Sequence, residues 1–134
     1  MPPLNELEKD VLRIWLRKAD GDLRVAERLA DAPEDYDAVA FHCQQSAEKF
    51  LKARMAVAGV EPPRTHNLLR LITLLEQIES FNPVEVAMAS LLTPFGVSIR
   101  YPTEDDDEPP VIELLLAARH FRDRLRPVIL AELA

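Results

Sequence analysis

Between its prolines the chain keeps its apolar residues at helical spacing, and this alternation of periodic segment and break constrains the fold more than any other feature. Leu12, Trp15, Leu16, Ala19, Leu23, Ala26 and Leu29 recur at i, i+3 or i+4. That rhythm draws one apolar stripe down a helix predicted over residues 4–30. Gly21 sits inside the segment, where glycine costs about 1 kcal/mol relative to alanine, so a bend is allowed there. Pro33 lies just past its end. A second helix is predicted over residues 35–58, with Gly59 as its stop. Pro62-Pro63 then imposes an extended run, and Thr65 suits the cap of a third helix reaching residue 79. Pro83 fits the first turn of a short fourth helix ending near residue 92. Residues 93–110 make the longest predicted loop. The last helix is predicted from Val111, with Leu115, Ala118, Phe121 and Leu125 on one face, and Pro127 is expected to end or kink it.

Strands have no obvious place, because no segment alternates with period two. Long amphipathic segments joined by short connections pack best as an antiparallel bundle. The expected fold is therefore all-α, with four to five helices in a single domain over residues 1–134. A chain of this length buries about two-thirds of its unfolded surface and needs no covalent staples. Cys43 stands alone, residues 1–10 do not read as a signal peptide, and no apolar run approaches about 18 residues. A reducing cytoplasm, away from membranes, is the expected setting.

A formal charge of −7 and a pI near 5.0 argue against sequence-blind binding to duplex DNA, which is driven by phosphate neutralisation. They leave room for a local basic patch. Phosphate-loop, dinucleotide, nucleophile-elbow and zinc-protease signatures are all missing, so no cofactor and no metal site is expected. The acidic run at residues 104–108 lacks the alternating ligands and glycine of a calcium loop. It reads more simply as negative charge approaching a helix N-terminus.

The second helix carries the most informative chemistry. At roughly 100° per residue, His42, Gln45, Lys49 and Lys52 fall within an arc of about 80°. Val39, Cys43, Ala47 and Phe50 take a separate, core-facing arc. Imidazole, amide and two ammonium groups in one stripe suit an anionic, hydrogen-bonding ligand such as a phosphate or nucleotide. The same stripe also fits a solvated face whose Gln and His bond a neighbouring helix. Arg64 and His66 flank Thr65 at the start of the third helix, where free amides favour anions. Arg100 and Tyr101 lie in the long loop, where Tyr101 could stack on a base or seal the end of the bundle. Arg119, Arg122 and Arg126 form a basic stripe on the last helix, suited to solvation or to RNA contact.

The order of these pieces resembles the HEPN family (higher eukaryotes and prokaryotes nucleotide-binding). It is most similar to the small prokaryotic branch found beside minimal nucleotidyltransferases. The resemblance rests on Trp15, Ala19, Asp22-Leu23, Ala26 and Tyr36, then on Phe41-His42-Cys43-Gln44-Gln45-Ser46-Ala47-Glu48-Lys49 with Leu51-Lys52-Ala53. Pro63-Arg64-Thr65-His66-Asn67-Leu68 and Arg100-Tyr101-Pro102 complete it. It implies a helical bundle, often a homodimer, associated with nucleotides, RNA or a nucleotidyltransferase partner. Ribonuclease members of the family carry an arginine followed, after four to six residues, by a histidine. No such pair occurs here, and the RNA-cleaving activity is not carried over.

The expected function is thus a non-catalytic nucleotide- or RNA-associated binding module, acting with a separately encoded minimal nucleotidyltransferase in a toxin–antitoxin-like or nucleotide-handling system. His42, Gln45, Lys49, Lys52, Arg64, His66, Arg100 and Tyr101 are the candidate ligand residues. A metal-independent ribonuclease with a displaced constellation and a purely structural helical adaptor are the alternatives.

Overall fold

The computed structural model describes residues 2–97 and 107–134. Among these it contains five α-helices and no strand: α1 (Glu6–Leu29), α2 (Tyr36–Val57), α3 (Leu68–Leu75), α4 (Pro83–Leu92) and α5 (Val111–Ala131). Short 3-10 turns at Pro33–Asp35 and Thr93–Phe95 lead into α2 and out of α4. Arg100, Tyr101 and the first three residues of the acidic run lie outside the described residues. No helix among those described is long and apolar enough to cross a membrane.

Helix ends follow local chemistry. α1 and α4 open with capping boxes, in which Asn5 pairs with Glu8 and Asn82 with Glu85 through reciprocal side-chain and backbone hydrogen bonds. Pro83 occupies the first turn of α4, as its fixed φ favours. α2 ends in a Schellman motif: the Val60 amide donates to the Met55 carbonyl at 2.9 Å and the Gly59 amide to Ala56 at 3.1 Å. Gly59 adopts φ 75°, the left-handed region where a side chain is strained.

Two expectations are corrected. The third helix is shorter than predicted and is capped by Asn67, whose side chain accepts from the Leu69 amide at 3.0 Å. Thr65 instead turns its hydroxyl oxygen to the Asn67 amide at 3.1 Å, closing a local turn ahead of the helix. Of the two outcomes expected at Pro127, an end or a kink, the end does not occur: α5 continues through it to Ala131. Its missing N–H leaves the Asp123 carbonyl without its i+4 helical donor, and the extra turn places Ile129 fully in the core. That burial, worth about 1.5–3 kcal/mol, offsets a proline penalty of about 3 kcal/mol.

α2 is the central helix. It packs against α1, α3, α4 and α5, and thirteen of its 22 residues are buried. α1 buries one stripe, Leu12, Leu16, Ala19, Leu23 and Ala26, as its periodicity requires. α5 lies antiparallel to α1, since Arg126 meets Asp20 while Arg119 and Arg122 approach Glu27. Ser46 fastens α2 to α1 by donating its hydroxyl to the Ala19 carbonyl at 2.9 Å. Cys43 is fully buried beside Phe50 and Ala47 on the core arc, and burial pushes its thiol up to about 12. Gly59→Ala is expected to cost about 1–2 kcal/mol, read as a lower urea midpoint with an unchanged denaturant slope.

Candidate functional site

The stripe predicted on α2 exists, but acidic partners divide it between two clusters. At its N-terminal end, His42 and Lys49 converge on Asp22 of α1. The His42 Nδ1–Asp22 Oδ1 distance is 2.9 Å, and the Lys49 ammonium donates to the second carboxylate oxygen. At the other end, Lys52 is buried rather than presented to solvent, and its ammonium donates to Glu48 Oε2 at 3.3 Å. Glu48 Oε1 also meets His66 Nδ1 at 2.8 Å. Two lysines placed by sequence on a ligand surface are therefore already engaged by carboxylates.

Glu48 is the hub of the second cluster, with its side chain only 6% exposed. Gln44, fully buried one turn earlier, donates its amide to Glu48 Oε1 at 3.2 Å and to the His66 carbonyl at 2.9 Å. Its oxygen accepts from Gln45 at 2.8 Å, so Gln45 extends the network outward. The result ties α2 to the segment entering α3 and fixes the His66 ring. His66 has a 61% exposed side chain, so a ring anchored at Nδ1 by a buried carboxylate stands at the surface. Arg64, two residues earlier, is exposed and has no acidic partner among the described residues.

Gly96 seals this cluster from the far side. A Cβ built there would stand 2.9 Å from the Gln44 amide nitrogen and 3.0 Å from the His66 Cβ. Its φ of −72° is ordinary, so close approach and not backbone freedom accounts for the glycine.

A third cluster, absent from the sequence reading, joins α4, α5 and α2. Glu85, 2% exposed, accepts from the Arg124 guanidinium and lies 2.8 Å from His120 Nε2. Arg124 also reaches Glu79 at 3.0 Å and lies 4.0 Å over the Phe81 ring, while Arg54 bonds Glu79 at 2.6 Å. Burial alone disfavours the Glu85 carboxylate. Hydrogen bonds from Arg124, the Asn82 backbone and His120 outweigh that penalty and hold its carboxyl below the ordinary value. Arg124, opposed by burial but bonded to Glu85 and Glu79, is raised. No buried side-chain nitrogen or oxygen among the described residues lacks a partner. None of these clusters gathers three or more His, Cys, Asp or Glu groups placed to hold a metal ion.

Asp22, Glu48 and Glu85 escaped the sequence reading for different reasons. Glu48 sits four residues from both Gln44 and Lys52, a helical spacing that could have exposed it. Glu85 was visible only as the partner of Asn82 in a capping box. Asp22 meets His42 and Lys49 across twenty or more residues, a pairing that no local spacing encodes.

Two outcomes follow from this geometry. Gly96→Ala forces Gln44 or His66 aside and is expected to cost about 1–3 kcal/mol, measured by thermal or urea unfolding. Glu85→Gln should cost a similar amount near pH 7, about 1–3 kcal/mol, by weakening the Arg124 and His120 bonds. Because the folded carboxyl is held below 4.5, its contribution is complete above that value and fades as pH falls through the lower folded one. Urea midpoints of wild type and variant should therefore differ at neutral pH and converge in strong acid.

Known proteins place this geometry in a family. None of the curated proteins matches the chain. The crystal structure of TT1696 from Thermus thermophilus superimposes with a TM-score of 0.63 at 28% identity, covering 91% of this chain and 94% of that one. The family model of the HEPN domain matches residues 12–128, from the first core leucine of α1 to the last turns of α5. The chain belongs to the HEPN domain family.

Proposed function

We propose that this HEPN domain is a non-catalytic binding module for nucleotides or RNA, working beside a separately encoded minimal nucleotidyltransferase in a toxin–antitoxin-like or nucleotide-handling system. Membership of a family often related to nucleotides and RNA supports the ligand class. The partner, and dimerisation with a second copy, rest on the same resemblance. One observation carries the site: the surface imidazole of His66, aimed by buried Glu48 and placed two residues from exposed Arg64, which no acid among the described residues engages. An oriented ring nitrogen supplies a directional hydrogen bond and Arg64 a phosphate-seeking fork. Gln45 adds an amide at the edge of the same network. Lys49 and Lys52 contribute background charge, because each is bonded to a carboxylate.

A second reading has its own support. A carboxylate–imidazole pair is also the arrangement of an oriented general base, so the Glu48–His66 contact favours a ribonuclease with a non-standard site over a structural adaptor. The two readings separate in one experiment. Arg64→Ala combined with His66→Ala should weaken binding of a labelled single-stranded RNA or a mononucleotide at least tenfold, measured by anisotropy and calorimetry. Unchanged affinity in a folded double variant overturns the assignment. RNA cleavage by pure wild-type chain, lost in His66→Ala, replaces the binding module with the nuclease.

A further inference from the structure

A groove of about 860 Å³ opens between the C-terminal halves of α1 and α5. It does not belong to the α2 clusters: Asp22 points to α2, whereas Asp20, two residues and about 200° around the helix, points to α5. Its apolar lining is buried Leu23 with the exposed side chains of Pro127 and Leu130. Its rims carry four guanidinium groups, Arg24 and Arg28 from α1 and Arg122 and Arg126 from α5. Against them stand Asp20, Glu27 and Asp123 on the same lining, so four cations less three anions leave the groove one charge positive in a chain of net charge −7.

The four arginines are not equivalent. Arg126 is clamped by Asp20, with Nε 3.1 Å from Oδ1 and Nη2 3.0 Å from Oδ2, and Arg122 Nε bonds Asp123 at 2.9 Å. These contacts fix two forks on the α5 rim. Arg24 and Arg28 are exposed, without an acidic partner among the described residues, and about 6 Å apart along the helix axis. Arg126 and Arg122 are thus committed to Asp20, Asp123 and Glu27, and the two uncommitted forks of Arg24 and Arg28 are left to hold adjacent negative charges beside the apolar lining. Arginine forks suit phosphate oxygens in paired contacts, and the volume is that of a small-molecule site, roughly 300–1,000 Å³. Asp20, Glu27 and Asp123 line the same groove and oppose any anion, but an acidic peptide spreads its carboxylates singly, whereas adjacent phosphates can meet both free forks. A phosphate chain can engage Arg24 and Arg28 together and leave the Asp20–Arg126 clamp intact.

We propose that the α1–α5 groove binds the phosphate chain of a nucleoside polyphosphate, with Arg24 and Arg28 as the gripping residues and Leu23, Pro127 and Leu130 under the nucleoside. The choice of a nucleoside carrier rests on the nucleotide reading above; the anion site itself rests on the groove. Calorimetry on the full chain with inorganic tripolyphosphate, ATP and a short unstructured RNA tests both parts. Arg24→Ala with Arg28→Ala should weaken tripolyphosphate and ATP at least tenfold. Lys18→Ala with Arg70→Ala, which removes the same charge elsewhere, should change them less than twofold. The altered arginines are exposed and bonded to no acid among the described residues, so the melting temperature should not move. Equal loss in both double variants, or no saturable binding of tripolyphosphate, overturns the groove. Loss of ATP in Arg64→Ala with His66→Ala but not in Arg24→Ala with Arg28→Ala also overturns the groove, and leaves the module reading standing. Binding of tripolyphosphate without ATP or RNA overturns the nucleoside and the module reading together.

Discussion

A carboxylate withdrawn from solvent, fully at Glu48 and Glu85 and partly at Asp22, accepts from one cation and one imidazole three times in this bundle, and the placement of the other polar groups depends on it. Asp22 holds Lys49 and His42, Glu48 holds Lys52 and His66, and Glu85 holds Arg124 and His120. All three histidines of the chain are used in this way. An uncompensated buried charge costs several kcal/mol, and removing one partner of a buried pair costs about 3–5 kcal/mol. Each hub is therefore supplied twice over, once by full charge and once by a directional ring nitrogen. Each also crosses a helix boundary: α1 to α2, α2 to the entry of α3, and α4 to α5.

These hubs give register to helices whose apolar faces would tolerate sliding. Leucine and alanine stripes specify which face is buried far better than how far along one helix meets the next. The Ser46–Ala19 bond and the Asp22 hub fix α1 on α2, and the Asp20–Arg126 clamp does the same for α5 on α1. The chain thus uses its apolar periodicity to make a bundle and its buried acids to make one particular bundle.

The difference in legibility between fold and site has the same origin. Periodicity, prolines and the glycine at residue 59 mark helices because those signals are local, and the starts of α4 and α5 lie where Pro83 and Val111 place them. Local signals mark less where a distant contact overrides a local preference, as when burial of Ile129 carries α5 through Pro127. The α2 stripe shows the same division. Its composition and arc were readable, yet the acids that occupy Lys49 and Lys52 come from α1 and from α2's own neighbouring turn. Spacing can flag the Glu48–Lys52 pair within α2, whereas the Asp22–Lys49 pair emerges only from packing.

The buried thiol offers a different kind of consequence. Cys43 is the chain's single cysteine, enclosed at the centre of α2 and protonated far above neutral pH. The native fold therefore presents no background to maleimide chemistry, and the wild-type chain is already a cysteine-light scaffold. One cysteine placed on the exposed face of α1 or α5 would carry a dye or spin label alone, and distances between copies or to a bound strand could be measured without first deleting a core residue.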